Sequence, residues 1–592
     1  MKIISIYPGH NATIGYYQDG VLEYVLQEEK FDNIKNSTGF PFKAMRYLGT
    51  QIDLKEVDIF ITAGVPIFPE LFIEDRHTSR EDLEWIYISF RERYMYFLSK
   101  YFSWLYLFLQ KRKFSSLRPK HFSVLKNTLE NIVWKTLSDN QIQSIEHHEA
   151  HALSPIYFYG LHRSSDPILV MTLDGMGDDG ICASVRTWKD GKLETLATTP
   201  FIHSLGFIWS NMTRAMGMKP LEHEYKVMWL AAYTTEKYFK KTYDEVFKDL
   251  IEVDGLSWKS SIPLNRALVF LENKLFGRRF DNIAWALQYM TEERVLEWVK
   301  NAVEHTGIKK VAFSGGVFMN VKLNKRIQEM ELLEKTYFMP SCGDESNTIG
   351  AIFGGCLQKW EDLQNIAPIH SMYSGIRIKK EDVLTFIQEK SLGTKYQIQD
   401  LGDDTTSALH IAKLLSEHEI VAVCRGAGEW WARSLCNRAI LSNASSLANF
   451  HTVNDMIKMR DFWMPFAPTI LESAAGEYIR DWDNFSSRVQ ESSYYMITAV
   501  DSTPLAQKHL AAAIHQKDKT LRPQLVNEKS NPWMYDTLSE YKNLTGMSGV
   551  MNTSLNMHGY PLVGTLEQWL FTLENSGLQH IVFDTILISK KS

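Results

Sequence analysis

The sequence is poor in cysteine, has no long apolar run and carries no strong excess of either charge. Its five cysteines, Cys182, Cys342, Cys356, Cys424 and Cys436, lie far apart and no two form a CxxC pair. That excludes a disulfide scaffold and a paired-thiolate metal site, and suits reduced, buried thiols. No run of about 18 apolar residues occurs, so no membrane-spanning helix is predicted. The apolar stretch Ile3 to Tyr7 is too short for a signal-peptide core and ends at Pro8-Gly9, so a cytoplasmic location is expected. With 64 Lys and Arg against 70 Asp and Glu, no basic stripe is expected, which counts against a nucleic-acid partner. There is no low-complexity tract and no repeat at a solenoid period. What the chain has is length: 592 residues exceed one ordinary core, so two large lobes are expected.

The beginning reads as β-structure. Strands are expected at Ile3 to Tyr7, Ala12 to Tyr17 and Val21 to Gln27, the last two joined by a turn containing Asp19-Gly20. Strands at Ile168 to Leu173 and Val311 to Phe313, separated by helical stretches such as Asn282 to Thr306, make the fold class α/β. Residues 79–135 are helical in composition and dense in aromatics, Trp85, Trp104 and Phe108 among them. The expectation is one or two amphipathic helices burying that stripe on the main lobe. Lys111-Arg112-Lys113 after the stripe leaves a substrate lid or a peripheral membrane helix as the alternative. Periodicity breaks between Gln364 and Ser374, and a linker at 366–375 divides the chain into 1–365 and 376–592.

The densest chemistry is Glu146-His147-His148-Glu149-Ala150-His151. His147 and His151, four apart, share one helical face and can hold a metal ion; two histidines capping a helix end would look the same. Pro155 disfavours helical geometry at Ser154 and is expected to end that helix soon after His151. The strand ending at Leu173 runs into Asp174-Gly175, a carboxylate followed by glycine. Gly343-Asp344-Glu345 places another acid before a small-residue helix, Thr348 to Gly355. Histidines and aspartates together form a mixed nitrogen and oxygen set that suits Fe(II), Mn(II) or Zn(II). Ser314-Gly315-Gly316-Val317-Phe-Met-Asn320 follows a strand, where backbone amides can approach a phosphate or only form a tight turn. Glu224-Tyr-Lys226 adds charge that faces the same cleft or starts an exposed helix.

Taken in order, Gly9-His10, the HHxxH segment, Leu173-Asp174-Gly175, Glu224-Tyr-Lys226-Val-Met228, Ser314-Gly-Gly-Val317 and Gly343-Asp344-Glu345 resemble the NodU/CmcH family of O-carbamoyltransferases. In the C-terminal half the resemblance continues through Asn437-Arg438, Lys458-Met-Arg460, Pro465-Phe466-Ala467-Pro468, Arg522-Pro523 and Asn552-Thr-Ser554-Leu-Asn556. It implies an N-terminal actin/sugar-kinase-like (Kae1-like) lobe and a C-terminal YrdC-like α+β lobe. It further implies that the second lobe makes carbamoyl-adenylate from ATP, with Mg²⁺, and carbamoyl phosphate. The first lobe then passes the carbamoyl group to a hydroxyl of a small molecule.

Carried over to this chain, His147, His151, Asp174 and Asp344 hold one divalent metal, Fe²⁺ before Mn²⁺ or Zn²⁺. His10 lies beside the acceptor as a base, and Gly315, Gly316, Val317, Asn320 and Lys226 lie near the nucleotide. Arg433, Lys458, Arg460 and Arg522 collect anionic oxygens, arginine being suited to bidentate phosphate contacts. Asn437, Arg438, Asn552, Ser554 and Asn556 line the same pocket. The segment Trp85 to Phe108 is the one expected to shape acceptor access. The chain departs from the family pattern at Ala427, Trp431, Cys436, Met464 and Trp229, and the lost charges at Ala427 and Met464 bear on the carbamoyl-phosphate site. A tRNA threonylcarbamoyl-type modifier and a nucleotide-binding regulator without turnover are the other readings.

Overall fold

In the computed structural model, which describes residues 1–64, 90–359 and 361–591, the chain groups into two units. One comprises Met1–Glu23 and Asn36–His370; the other comprises Tyr24–Lys35 and Ser371–Ser592. Tyr24–Lys35 is thus an N-terminal stretch that belongs with the C-terminal unit.

The first unit starts with β1 (Lys2–Tyr7) and β2 (Thr13–Gln18), and β3 (Val21–Gln27) begins in it, its residues from Tyr24 on being grouped with the second unit. Asp19 and Gly20 both have positive φ, 47° and 95°, the backbone a two-residue hairpin requires. With β4 (Ile59–Ala63) and β5 (Ile142–Ile145) they form a sheet of order β3-β2-β1-β4-β5. A second sheet uses β6 (Ile168–Leu173), β7 (Ile181–Lys189) and β8 (Lys192–Pro200). After the small hairpin β9 (Ile251–Asp254) and β10 (Ser257–Ser260), β11 (Lys310–Ser314) and β12 (Lys335–Phe338) complete it, in the order β12-β11-β6-β7-β8. In both sheets the first strand pairs antiparallel with the second and parallel with the fourth, which pairs parallel with the fifth. The unit is therefore a duplication, the layout of the actin/sugar-kinase fold. No sequence repeat announces it.

The duplication brings two helices together, His147–Phe158 after β5 and Asn347–Gln358 after β12. They touch through Gly350, where an added Cβ would lie 1.9 Å from the Ala150 carbonyl oxygen and 2.7 Å from Ser154 Oγ. Gly350→Ala is expected to cost about 1–3 kcal/mol by overpacking, read as a lower denaturant midpoint.

The first helix does not stop after His151, as Pro155 led us to expect; it runs to Phe158. Proline removes one backbone donor, but Ala150 and every later residue of the helix is buried. Ser154 Oγ also donates to the carbonyls of Ala150 and Ser346, both at 2.8 Å. Burial and these bonds outweigh the missing donor.

The aromatic-rich segment forms helices Phe90–Tyr101 and Ser103–Val133. Its aromatics are not a core stripe. Tyr106, Leu125, Leu129 and Val133 are buried, whereas Phe97, Tyr101, Phe102, Trp104 and Phe108 are exposed. The aromatics fall on several sides of the helices, and only the side of Tyr106 faces the unit's interior. Trp85 and residues 79–89 lie outside the described residues.

The second unit is built on an eight-stranded mixed sheet. Its central strands are Val421–Cys424, Arg438–Ser442, Gly549–Ser554 and Ala467–Leu471. Alternation along a strand sends Val421 and Val423 into one apolar cluster and Ala422 and Cys424 into another. All five cysteines are buried, and none of them is in a disulfide. No described helix is long and apolar enough to cross a membrane.

Candidate functional site

The duplicated sheets put equivalent strand ends next to each other, and the polar groups of the first unit collect there. His147 and His151 come from the first turns of their helix, with ring centroids 4.7 Å apart. Asp174 follows the last residue of β6, and Asp344 precedes the helix Asn347–Gln358. One ligand atom from each of these four residues lies within 4.8 Å of all the others. His147 Nε2 is 3.3 Å from Asp174 Oδ2 and 3.5 Å from Asp344 Oδ1; His151 Nε2 is 3.2 Å from Asp344 Oδ1.

Further groups hold the cluster in place. The backbone amide of Gly316 donates to Asp174 Oδ1 at 3.0 Å. Gly315 can supply that turn because its φ is +105°, and a Cβ there would lie 2.4 Å from the Leu173 carbonyl oxygen. The Tyr7 hydroxyl donates to Asp344 Oδ2, and His10 Nδ1 lies 3.3 Å from the same oxygen. Asn347 Nδ2 stands 3.3 Å from His151 Nε2, and Asp178 accepts from the His147 backbone amide at 3.1 Å.

The donor set fits a divalent metal: two imidazole nitrogens and two carboxylate oxygens converge in a buried place. Burial opposes charge on His147, but the carboxylates of Asp344, Asp174 and Asp178 push its pKa up to about 10. His148, buried between Thr172 and the Ile181 carbonyl, is pulled down to about 3 by burial and by His147. A proton and a metal therefore compete for His147 Nε2. Metal loading is expected to release about one proton, and the apparent affinity to rise about tenfold per pH unit between pH 7 and 9. Titration calorimetry in two buffers of different ionisation enthalpy measures that proton.

The remaining candidates of this unit have local roles. Val317 is buried in the short turn after Gly316. Asn320 caps the helix Val321–Gln328, accepting from Leu323 N at 3.0 Å, and its amide donates to Gln288 at 2.8 Å. Lys226 is buried on the helix Glu224–Leu230, and Trp229 on the same helix lies 5.0 Å beneath Lys322 Nζ. Burial raises the Glu224 carboxyl, while nearby His10 acts to lower it.

In the second unit, residues far apart in sequence meet. Lys458 is buried and donates to Ser554 Oγ at 3.2 Å, to the Asn556 carbonyl at 2.9 Å and to Asn556 Oδ1. Arg460 donates to Thr553 Oγ1 at 3.1 Å. Burial and then Arg460 and Lys35 push the Lys458 ammonium well below its usual range; burial and Arg460 pull Arg522 down to about 10. Arg433 lies over the ring of Trp431, 4.9 Å from its centroid, and donates to the Met496 carbonyl.

Arg438 is spent on the fold: it donates to the carbonyls of Arg425, Asn437, Ile376 and Gly426. Asn552 Nδ2 sits among Thr469 Oγ1, Gln524 Oε1 and Cys436 Sγ, at 3.0 to 3.3 Å. Asn437 Nδ2 donates to the Ala427 carbonyl at 2.9 Å, and Met464 is buried.

Residues 2–353 match the family model for the carbamoyltransferase N-terminus, and residues 412–590 match that for the carbamoyltransferase C-terminus. The chain belongs to the carbamoyltransferase family. This carbamoyltransferase is 25% identical to an uncharacterized protein of Synechocystis, over 98% of its own length and 95% of that protein. It is 23% identical to nodulation protein NolNO of Sinorhizobium fredii, over 98% of this chain and 79% of that one. Among solved structures, HypF of T. kodakarensis aligns over 62% of this chain and 49% of its own, at 14% identity and a TM-score of 0.33.

Several residues that bond within these clusters were not singled out from the sequence. Tyr7 closes β1 just before Pro8-Gly9-His10, and Asn347 stands three residues after Asp344; both positions were readable as strand-end and helix-start groups. Glu429 Oε1 accepts from the amides of Leu435, Asn437 and Arg438, at 2.7, 2.9 and 3.3 Å. Nothing in its local sequence signals that.

Proposed function

We propose that this carbamoyltransferase joins ATP and carbamoyl phosphate into carbamoyl-adenylate in its second unit, then transfers the carbamoyl group to a hydroxyl of a small molecule in its first. The observation that carries the reading is the grouping of Lys458, Arg460 and Arg522, Lys458 buried and the two arginines half-buried, where burial and neighbouring cations depress both Lys458 and Arg522. Buried cations that destabilise one another make a preorganised anion site, because a bound phosphate relieves all of them at once.

Water cleaves carbamoyl phosphate to carbamate and inorganic phosphate, and a carbamate oxygen then displaces diphosphate from the α-phosphorus of ATP. Lys458 and Arg460 hold anionic oxygens in line, and Ser554 and Asn556 fix the ammonium. In the first unit, His147, His151, Asp174 and Asp344 would hold the metal; when bound, it supplies Lewis-acid polarisation of the acyl or phosphate oxygen. The Gly315-Gly316 turn offers backbone amides beside it. His10, held at Asp344 Oδ2 and partly open to solvent, takes the proton of the acceptor hydroxyl, a contribution of about 10²–10⁴-fold.

Exchange of labelled diphosphate into ATP tests the first half. Exchange that requires carbamoyl phosphate and Mg²⁺ is the expected result. Exchange without carbamoyl phosphate, or none in folded protein, would overturn the proposed donor chemistry.

A further inference from the structure

Between Arg93 and Leu129 the chain contains no aspartate or glutamate, although its net charge is −6. Three cations of this stretch are paired with acids elsewhere in the unit: Arg93 with Glu272, Arg118 with Asp179 and Lys126 with Asp139. Lys100, Lys111, Arg112, Lys113 and Lys120 are exposed, and among the described residues none has an acidic side chain within ion-pair reach. The stretch is therefore a local basic stripe, which the balanced overall composition did not lead us to expect.

The same stretch exposes large apolar groups. On the helix Ser103–Val133, Trp104 is 71% exposed and Phe108 58%. Residues 104, 108, 111 and 112 fall within about a quarter of the helix circumference at 3.6 residues per turn. One face thus runs from Trp104 and Phe108 directly into Lys111 and Arg112. On the preceding helix, Phe97 and Tyr101 are exposed with ring centroids 4.8 Å apart, and Lys100 Nζ lies 5.4 Å from the Tyr101 ring. The far half of the long helix is anchored by buried Leu125, Leu129 and Val133 and by the 2.9 Å bond from Arg118 to Asp179. The aromatic end is thus displayed by a fixed support.

We propose that this face docks on an anionic lipid bilayer, Trp104 and Phe108 entering the interface while Lys111, Arg112 and their neighbours meet acidic headgroups. Charge complementarity selects that occupant, because a stripe whose Lys100, Lys111, Arg112, Lys113 and Lys120 have no acidic partner among the described residues attracts an anionic surface. The aromatics favour a bilayer over nucleic acid, since an exposed Trp and Phe gain most where a polar surface borders an apolar interior. The proposal does not depend on the donor chemistry above.

The test is flotation of the full-length protein with phosphatidylglycerol-containing vesicles, with pure phosphatidylcholine vesicles and with duplex RNA. Binding to the anionic vesicles alone, weakened when salt rises from about 0.1 to 0.5 M, is expected. Lys111→Gln with Arg112→Gln should weaken it about 30-fold. Trp104→Ala with Phe108→Ala should weaken it about tenfold or more, with thermal unfolding unchanged in both variants. No preference for anionic vesicles, or binding indifferent to both pairs of substitutions, overturns the proposal. So does tighter binding to RNA than to vesicles, or lipid-free self-association lost in the Trp104/Phe108 variant, which assigns the face to a second copy.

Discussion

Arg460→Ala is expected to abolish carbamoyl-adenylate formation, lowering carbamoyl-phosphate-dependent diphosphate exchange about 10³-fold while leaving metal binding in the first unit unchanged. The size follows from where the guanidinium sits. It is tied to Thr553 at 3.1 Å and depresses both Lys458 and Arg522, which is why the proposed anion site includes it rather than treating it as a solvated charge. An exposed cation would cost less than about 1 kcal/mol on removal, no more than a fewfold effect. Arg460→Lys keeps the charge and loses the planar fork. It should recover binding of inorganic phosphate but only part of the rate, because bidentate positioning is lost. If Arg460→Ala exchanges diphosphate at more than a tenth of the normal rate, the anion site has been placed on the wrong residues.

His147→Ala should have the opposite pattern: carbamoyl-adenylate still forms, but transfer to an acceptor falls about 10³-fold as the metal loses a ligand. Asp174 and Asp344 then face each other with less compensation, since His147 lies 3.3 Å from the first and 3.5 Å from the second. Without metal, the unmodified chain takes up a proton on His147 when it folds above pH 7, and the variant, lacking that imidazole, should not. Metal content by mass spectrometry, measured with adenylate formation and transfer, separates a lost ligand from a lost fold. Full metal content with normal transfer would remove His147 from the site.

The cluster in the first unit was legible because each ligand sits in a short motif with local punctuation: His147 and His151 at helical spacing, Asp174 at a strand end, Asp344 before a helix. The duplication that makes them converge was not legible. It lies in strand order, and the little the two sheets share in sequence, an Asp-Gly turn at Asp19-Gly20 and at Asp190-Gly191, is a common hairpin signal. The helix His147–Phe158 outran the expectation from Pro155 because tertiary burial, with Ser154 bonding to Ala150 and Ser346, overrides a local signal. The exposed aromatics were misread for a related reason. Composition counts aromatics, but burial depends on which side of a helix each one takes, and only the Tyr106 side faces inward. In the second unit, Lys458 and Asn556 were each picked out by motif. The bond between them joins residues 98 apart in sequence, which no local pattern encodes. Arg438 shows the reverse: a motif arginine whose guanidinium is taken up by backbone carbonyls.

The most direct test of the two-unit account is product analysis by mass spectrometry after incubating the protein with ATP, Mg²⁺ and carbamoyl phosphate, alongside Arg460→Ala and His147→Ala. The account predicts carbamoyl-adenylate and diphosphate from the unmodified chain and from His147→Ala, and neither from Arg460→Ala. Adenylate made equally by Arg460→Ala, or absent from His147→Ala with its fold intact, would contradict the division of labour between the two sites.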